Sequence, residues 1–522
     1  DWYEINHEKY DKDDESGYKK FISHHSDNYK LELLKKIRDL SGLDIPLKTS
    51  FGLTKKLIYD KSPLILQGIL MHKDDYYVDC DIIIRYDLFR KIFPKINNLP
   101  FHILCKDKDY LLINTSYSTL HFKVDLKDVS NEGVLFYKKC KLFSFREVFY
   151  ELTDNISHCF ILGKDYYYKK TLLPNDEFIA KVNINENLSN SIDKAKEWIY
   201  TLKNEINKMD LLPEPTHPEL YPNMNNKESD WENEKIKLAE KIKEITLIWN
   251  ISYDERCDFL KKNIKKWDDP KLLKELKESK KKNIQERMIH MNQQKEILLY
   301  PRKNISYGFQ KILNNVDENN IYFDVESFLS FDEKKDPSFQ QKNDNPILGI
   351  LGYIYNDVFY NHTIDKFSKN DEKRIVKAFS DHLNKISKNK KPINIYHWGH
   401  AENRYMDYIH DEFSMISFPS YNLINVLDHF RLEPIIVQGI FKFGLKTVGK
   451  ALYENNLINT TWGDNDNGLD SMILFKEICM KNTQNIPLKR FLDIKEIIDY
   501  NETDCKVLYE IVELLRNKYK NY

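Results

Sequence analysis

Cysteine is scarce and scattered in this 522-residue chain: seven residues, at 80, 105, 140, 159, 257, 479 and 505, with no CxxC pair. An odd, dispersed set excludes a disulfide scaffold and a zinc ribbon and reads as a reducing, intracellular protein. Long apolar runs are also missing. The longest, Pro346 to Tyr355, is well short of the ~18 residues a membrane helix needs, and no leader-like positive, apolar and small-residue pattern opens the chain. A membrane role is therefore not expected. Neither charge is in excess, since 80 Lys+Arg face 81 Asp+Glu. That excludes a uniformly basic coat protein and an acidic solvating tail, so any nucleic-acid surface has to be local. Glycine is low at 15 residues, and the abundance of Lys, Asn, Tyr and Ile beside it has the look of AT-rich coding drift. What is plentiful is apolar residue, 41% of the chain, more than one core absorbs and enough for three domains.

Along the chain, apolar residues recur at helical spacing from Tyr29 to Leu40. Strand-like segments follow at Pro63–Met71, Tyr76–Arg85, Tyr110–Asn114 and Thr119–Val124, giving an α+β first domain over residues 1–185. Helical stretches at Ser191–Met209, Trp231–Trp249, Tyr253–Trp267 and Pro270–Met291 make a helical module over 186–310, with a proline-rich connector, Leu212 to Asn226, inside it. Residues 261–304 hold 14 Lys+Arg against 6 Asp+Glu, which fits either a solvated helix face or a nucleic-acid groove. The run from Tyr253 to Asp269 resembles half of a helix-hairpin-helix, with Asn263 where a left-handed turn residue is needed. Trp231, Trp249 and Trp267 have spacings that suit helix packing.

Beyond Asn304 strands and helices alternate. Strands are expected at Ile321–Val325, Leu348–Tyr355, Val358–Thr363 and Ile393–Trp398, and helices at Glu372–Ile386, Asn403–His410, Leu445–Leu452, Asp470–Met480 and Lys495–Arg516, an α/β layer over 311–522. Its first strand sets Asp324 and Glu326 two residues apart, so both carboxylates leave the same face. Such a pair repels unless a cation lies between its members, and hard ions such as Mg²⁺ or Mn²⁺ prefer oxygen ligands. Glu402 opens the helix after the fourth strand, and Tyr500 and Asp504 share a helix face at i and i+4. Four carboxylates suffice for two ions, the arrangement that activates water and stabilises a leaving oxygen in phosphodiester hydrolysis.

Asp324-x-Glu326, Glu402 and Tyr500-x-x-x-Asp504 resemble the DEDD exonucleases of the DnaQ type, on a ribonuclease H-like fold, and the tyrosine marks the DEDDy branch. More closely, the phrases Trp398-Gly-His-Ala-Glu, Phe441-Lys-Phe-Gly-Leu-Lys and Tyr500-Asn-Glu-Thr-Asp-Cys resemble the ribonuclease H-like domain attached to RecB-type nucleases. The resemblance implies a metal-dependent 3′-to-5′ exonuclease with two Mg²⁺ or Mn²⁺ ions held by Asp324, Glu326, Glu402 and Asp504. Tyr500 would orient water, and the substrate class would be single-stranded DNA or RNA. Lys446, just inside a helix start, and His400 are candidates for phosphate contact. Two departures stand out: Glu402 replaces the usual Asp, and Asn425 stands where this group tends to carry Asp, leaving Asp407 and Asp428 as alternative acids.

The same resemblance implies that the first domain is similar to a PD-(D/E)XK nuclease core. Asp81 fits the strand aspartate of that motif, but Asn114 and Ser116 stand where an acid and a lysine are required, and Lys30 stands where the first helix should give an acid. The domain is therefore expected to be a degenerate, inactive nuclease fold, with Asp79 or Asp125 the acids that could restore the motif in another alignment. A decayed nucleic-acid-binding scaffold is the alternative reading of the whole chain.

Overall fold

The computed structural model describes the chain except for residues 1, 74–75, 96–104, 124–127, 131–134, 156, 169–170, 227–229, 295–296, 302–304, 316–318, 329–346, 388–390, 464–467, 483–485 and 520–522. Asp125 lies outside the described residues. Two compact units result, one of Lys19–Ile206 and one of Asp1–Tyr18 with Asn207–Tyr522.

The unit Lys19–Ile206 is built on six strands: β1 (Leu64–Met71), β2 (Tyr77–Arg85), β3 (Tyr110–His121), β4 (His158–Tyr168), β5 (Thr171–Pro174) and β6 (Ala180–Lys181). They run in the order β1-β2-β3-β4-β5, with β6 also on β4. The β3–β4 pair is parallel and the others are antiparallel. Both faces of the sheet are covered. Leu34 and Ile37 of the helix Gly17–Ser41 join the core on one side, and Leu142, Phe145 and Phe149 of the helix Leu135–Thr153 join it on the other. The two strands expected at Tyr110–Asn114 and Thr119–Val124 form one strand as far as His121, with a register irregularity between Ser116 and Thr119. The helix Leu135–Thr153 gave no sequence signal because apolar residues surround most of its circumference and leave no single stripe to detect. Cys80 and Cys159 are buried in this core.

In the other unit, the helices Glu232–Ile242, Tyr253–Lys261, Pro270–Glu275 and Lys280–Gln293 lead to a short strand, β7 (Leu299–Tyr300). The helix expected over Trp231–Trp249 stops at Ile242: Lys243 turns left-handed (φ 58°), and the Glu244 side chain then caps a 3₁₀ turn at Ile245–Leu247. A capping box between Ser252 and Glu255 starts Tyr253–Lys261. Asn263 adopts the left-handed conformation (φ 56°) anticipated for the turn, and Asp269 caps the next helix with Pro270 in its first position. Trp231 is buried and stacks on Tyr3 at 5.8 Å.

The second sheet follows with β8 (Asn320–Phe328), β9 (Ile347–Tyr355), β10 (Val358–Thr363), β11 (Ile393–His397) and β12 (Tyr421–Asn425), while β13 (Ile436–Val437) pairs with β7. The order is β10-β9-β8-β11-β12, antiparallel across the first three and parallel from β8 to β12. Asn356 and Asp357, both with positive φ, close the tight β9–β10 hairpin. Successive residues of β8 serve opposite faces. Ile321 and Phe323 pack with Ile375 and Phe379 of the helix Lys369–Ile386, and Tyr322 packs with Cys505 and Leu508 of the helix Leu492–Tyr519. The latter apolar cluster continues without interruption into Phe259, Trp267 and Met288, so the helical segment and the second sheet share one core. No helix among the described residues is long and apolar enough to cross a membrane.

Candidate active site

Asp324 and Glu326 leave the β8 face that the helix Leu492–Tyr519 covers, and Asp504 approaches them from that helix. One carboxylate oxygen from each of the three lies within 4.8 Å of the others, a spacing that can hold a metal ion. Desolvation, followed by the charges of Asp504, Glu326 and Glu402, pushes the Asp324 carboxyl well above the usual carboxylate range. Burial and Asp504 push Glu326 up to about 8, against an opposing pull from the Lys446 ammonium. Acids crowded to this degree resist ionisation unless a cation neutralises them.

Two side chains that carried no signal in the sequence hold the cluster in place. Asn501 is fully buried and donates from Nδ2 to Asp324 Oδ2 at 2.7 Å, and the buried Trp462 donates from Nε1 to Asp504 Oδ1 at 2.7 Å. The Asn501 amide fits because Gly352, the β9 partner of Asp324, has no side chain. A Cβ there would stand 1.7 Å from Asn501 Oδ1. Asn501 lies inside the Tyr500-Asn-Glu-Thr-Asp-Cys phrase, but only the fold reveals its partner.

Glu402 is not in that 4.8 Å group. It is buried at the start of the helix Ala401–Glu412, with Oε2 lacking a hydrogen-bond partner and lying 3.6 Å from Nδ1 of the fully buried His397. Its charge nevertheless raises both Asp324 and Glu326. The turn before it uses Gly399 at φ 116°, and Asn425 accepts the Gly399 N–H at 3.0 Å. Asn425 also donates to Asp428 at 2.8 Å, which in turn lies 3.6 Å from His400 Nε2. Asp428 is thus engaged at the turn, His400 is mostly exposed beside it, and Asp407 is exposed on its helix.

Tyr500 is one helical turn from Asp504. Burial and the neighbouring carboxylates push its phenol far up, so it stays protonated at working pH and can donate a hydrogen bond but not accept a proton. The Lys446 ammonium sits 4.6 Å over the Tyr500 ring.

Residues 321–516 match the family model RNase_H_2, described as RNase_H superfamily. The C-terminal domain is RNase H-like. Its strand order and the three converging acids belong to that matched segment. No curated protein and no solved structure matches the chain.

Within Lys19–Ile206 the structure joins Lys30, Asp81 and Asn114. Lys30 Nζ lies 2.5 Å from Asp81 Oδ1, Asp81 Oδ2 accepts from the N–H and hydroxyl of Thr115 at 2.7 and 2.9 Å, and the Asp81 N–H donates to Asn114 Oδ1 at 3.1 Å. Ser116 is buried on the same strand with no hydrogen-bond partner for its hydroxyl. Asp79 is taken by Lys141 at 2.7 Å.

Proposed function

We propose that the RNase H-like domain is a metal-dependent DEDDy-type exonuclease that shortens single-stranded DNA or RNA from the 3′ end. The observation that carries the reading is the convergence of Asp324, Glu326 and Asp504. Their donor set is all carboxylate oxygen, which suits Mg²⁺ or Mn²⁺, and Glu402 adds a buried oxygen with no hydrogen-bond partner at the margin of the cluster. Two such ions would supply Lewis acidity and a more acidic bound water.

The chain's own residues do the rest. Asn501 and Trp462 fix the orientation of Asp324 and Asp504, so those oxygens are preorganised before substrate arrives. Tyr500, held protonated, donates a hydrogen bond that can align the attacking water. Lys446, over its ring, places positive charge where a phosphate approaches. His400 is the second candidate for phosphate contact.

We read Lys19–Ile206 as a PD-(D/E)XK-like core without activity. Support comes from the strand order and from the Lys30 ammonium on Asp81, a positive charge where such a core carries a metal ligand. The test uses 3′- and 5′-labelled single strands with Mg²⁺ or Mn²⁺. Shortening from the 3′ end is expected, and Asp324→Ala should lower its rate by at least about a hundredfold, the scale at which losing an electrostatic group in a site is felt. Cleavage that survives this change would move the chemistry to Lys19–Ile206. Strand binding without any cleavage would favour the scaffold reading.

A further inference from the structure

An open cavity of about 520 Å³ lies where the helical segment meets the RNase H-like domain, lined by Met224, Asn225, Trp249, Asn250, Arg431 and Lys442. Its lining holds two cations and no carboxylate. The Arg431 guanidinium lies 5.7 Å over the Trp249 ring, and its Nε is buried without a hydrogen-bond partner. Trp249 is itself braced edge-on against Phe443 at 5.5 Å. A guanidinium within cation–π range of a ring is held near that face, and its N–H fork can pair with phosphate oxygens. Lys442 Nζ is positioned by the Met224 carbonyl at 2.5 Å. The volume falls within the range of nucleotide-sized ligands.

The cavity is tied to the acidic cluster by a short piece of chain. Lys442 is followed by Phe443, whose carbonyl accepts from Trp398 Nε1 at 3.0 Å, and Trp398 precedes the Gly399 turn that leads to Glu402. Four residues after Lys442 comes Lys446, above Tyr500. Four residues span at most roughly 14 Å. A strand whose end lies among the acids therefore has the cavity within a few nucleotides.

The geometry points to this cavity as a second binding subsite, one that takes an internal phosphate of the strand being shortened and uses Arg431 and Lys442 as its anion donors. This rests on the exonuclease reading for its choice of ligand and goes beyond it in assigning a site away from the chemistry. A free nucleoside 5′-monophosphate offers the same phosphoryl oxygens, and the test separates the two sources.

Binding of fluorescent oligo-dT and oligo-rU is followed by anisotropy in EDTA, so that no cleavage intervenes, for the full chain and for Arg431→Gln, Arg431→Lys and Lys442→Gln. Thermal melts exclude misfolded variants. Arg431→Gln and Lys442→Gln are each expected to weaken strand binding about tenfold, as befits a lost charged hydrogen bond. Each should also flatten the dependence of log K on log salt by about 0.7. Arg431→Lys, which keeps charge but loses the fork, should fall in between. With Mg²⁺ present, the rise in KM should be much larger for a long strand than for a dinucleotide. Unchanged affinity and salt slope in folded variants would overturn the subsite, as would equal losses on strand and dinucleotide. Displacement of the strand by thymidine 5′-monophosphate with no dependence on strand length would overturn it in favour of a mononucleotide site. The two readings fail separately. Loss of binding in these variants of a chain that never cleaves would sink the exonuclease and keep the subsite, whereas cleavage with no binding loss would do the reverse.

Discussion

At the scale of single residues, the acidic cluster depends on an absence. Gly352 lets Asn501 lie against the strand, and Asn501 then fixes Asp324. Gly352→Ala is therefore expected to expel the amide, since 1.7 Å from Cβ to Oδ1 leaves no room for it. The cost to stability should be about 1–3 kcal/mol, the usual result of overpacking a buried site. Activity should fall more steeply than stability, because Asp324 loses the Asn501 amide that orients its carboxylate. Urea unfolding beside a cleavage assay measures both. Asn501→Ala, which removes the amide and leaves Gly352 in place, should reproduce the loss of activity, and a variant that keeps full activity would show that Asp324 needs no such support.

At the scale of elements, the helical segment is organised around an ion pair with almost no access to water. Glu244 and Arg256 are 0% and 1% exposed and lie 3.3 Å apart, with the Arg256 guanidinium also donating to the Tyr221 carbonyl at 3.0 Å. Desolvation raises the Glu244 carboxyl, opposed by Thr246 and Arg256. Arg256→Leu should destabilise the chain by roughly 3–5 kcal/mol, because it strands a buried carboxylate. Adding Glu244→Gln should recover part of that loss, a coupling that a double-mutant cycle in urea detects. This pair was not legible in the sequence, since nothing local links residues twelve apart across a broken helix. The elements themselves were far more readable. Val358–Thr363 occupies its expected span, and the strands carrying Asp324 and His397 fall within a few residues of theirs, because a polar residue between apolar neighbours signals a covered sheet face. The strand Tyr421–Asn425 went unread: five residues of mixed polarity paired on one edge give no alternation to detect. Asp324, Glu326 and Asp504 were readable by type and spacing, but Trp462 and Gly352 acquire meaning only once distant segments meet.

At the scale of the molecule, stability should depend on protons and metal together. Glu326 keeps its proton to about pH 8 when folded but ionises near its usual 4.5 when unfolded. A folded pKa above the unfolded one favours folding below the unfolded value, and that contribution is lost as pH rises through the interval. In EDTA, Glu326→Gln should therefore melt above the wild type, by a margin that grows from about pH 4.5 to about 8. Mn²⁺ should reverse the order by stabilising only the wild type. Scanning fluorimetry across pH, with and without the ion, reads both arms, and a margin that stays constant with pH would contradict the assignment.

The unit Lys19–Ile206 has solved its own charge problem differently. The ammonium beside Asp81 is part of the polypeptide, so no chelator can strip it and no shortage of divalent ions can leave the aspartate bare. A counter-charge carried on the same polypeptide makes the charge balance of Asp81 independent of any dissolved cation.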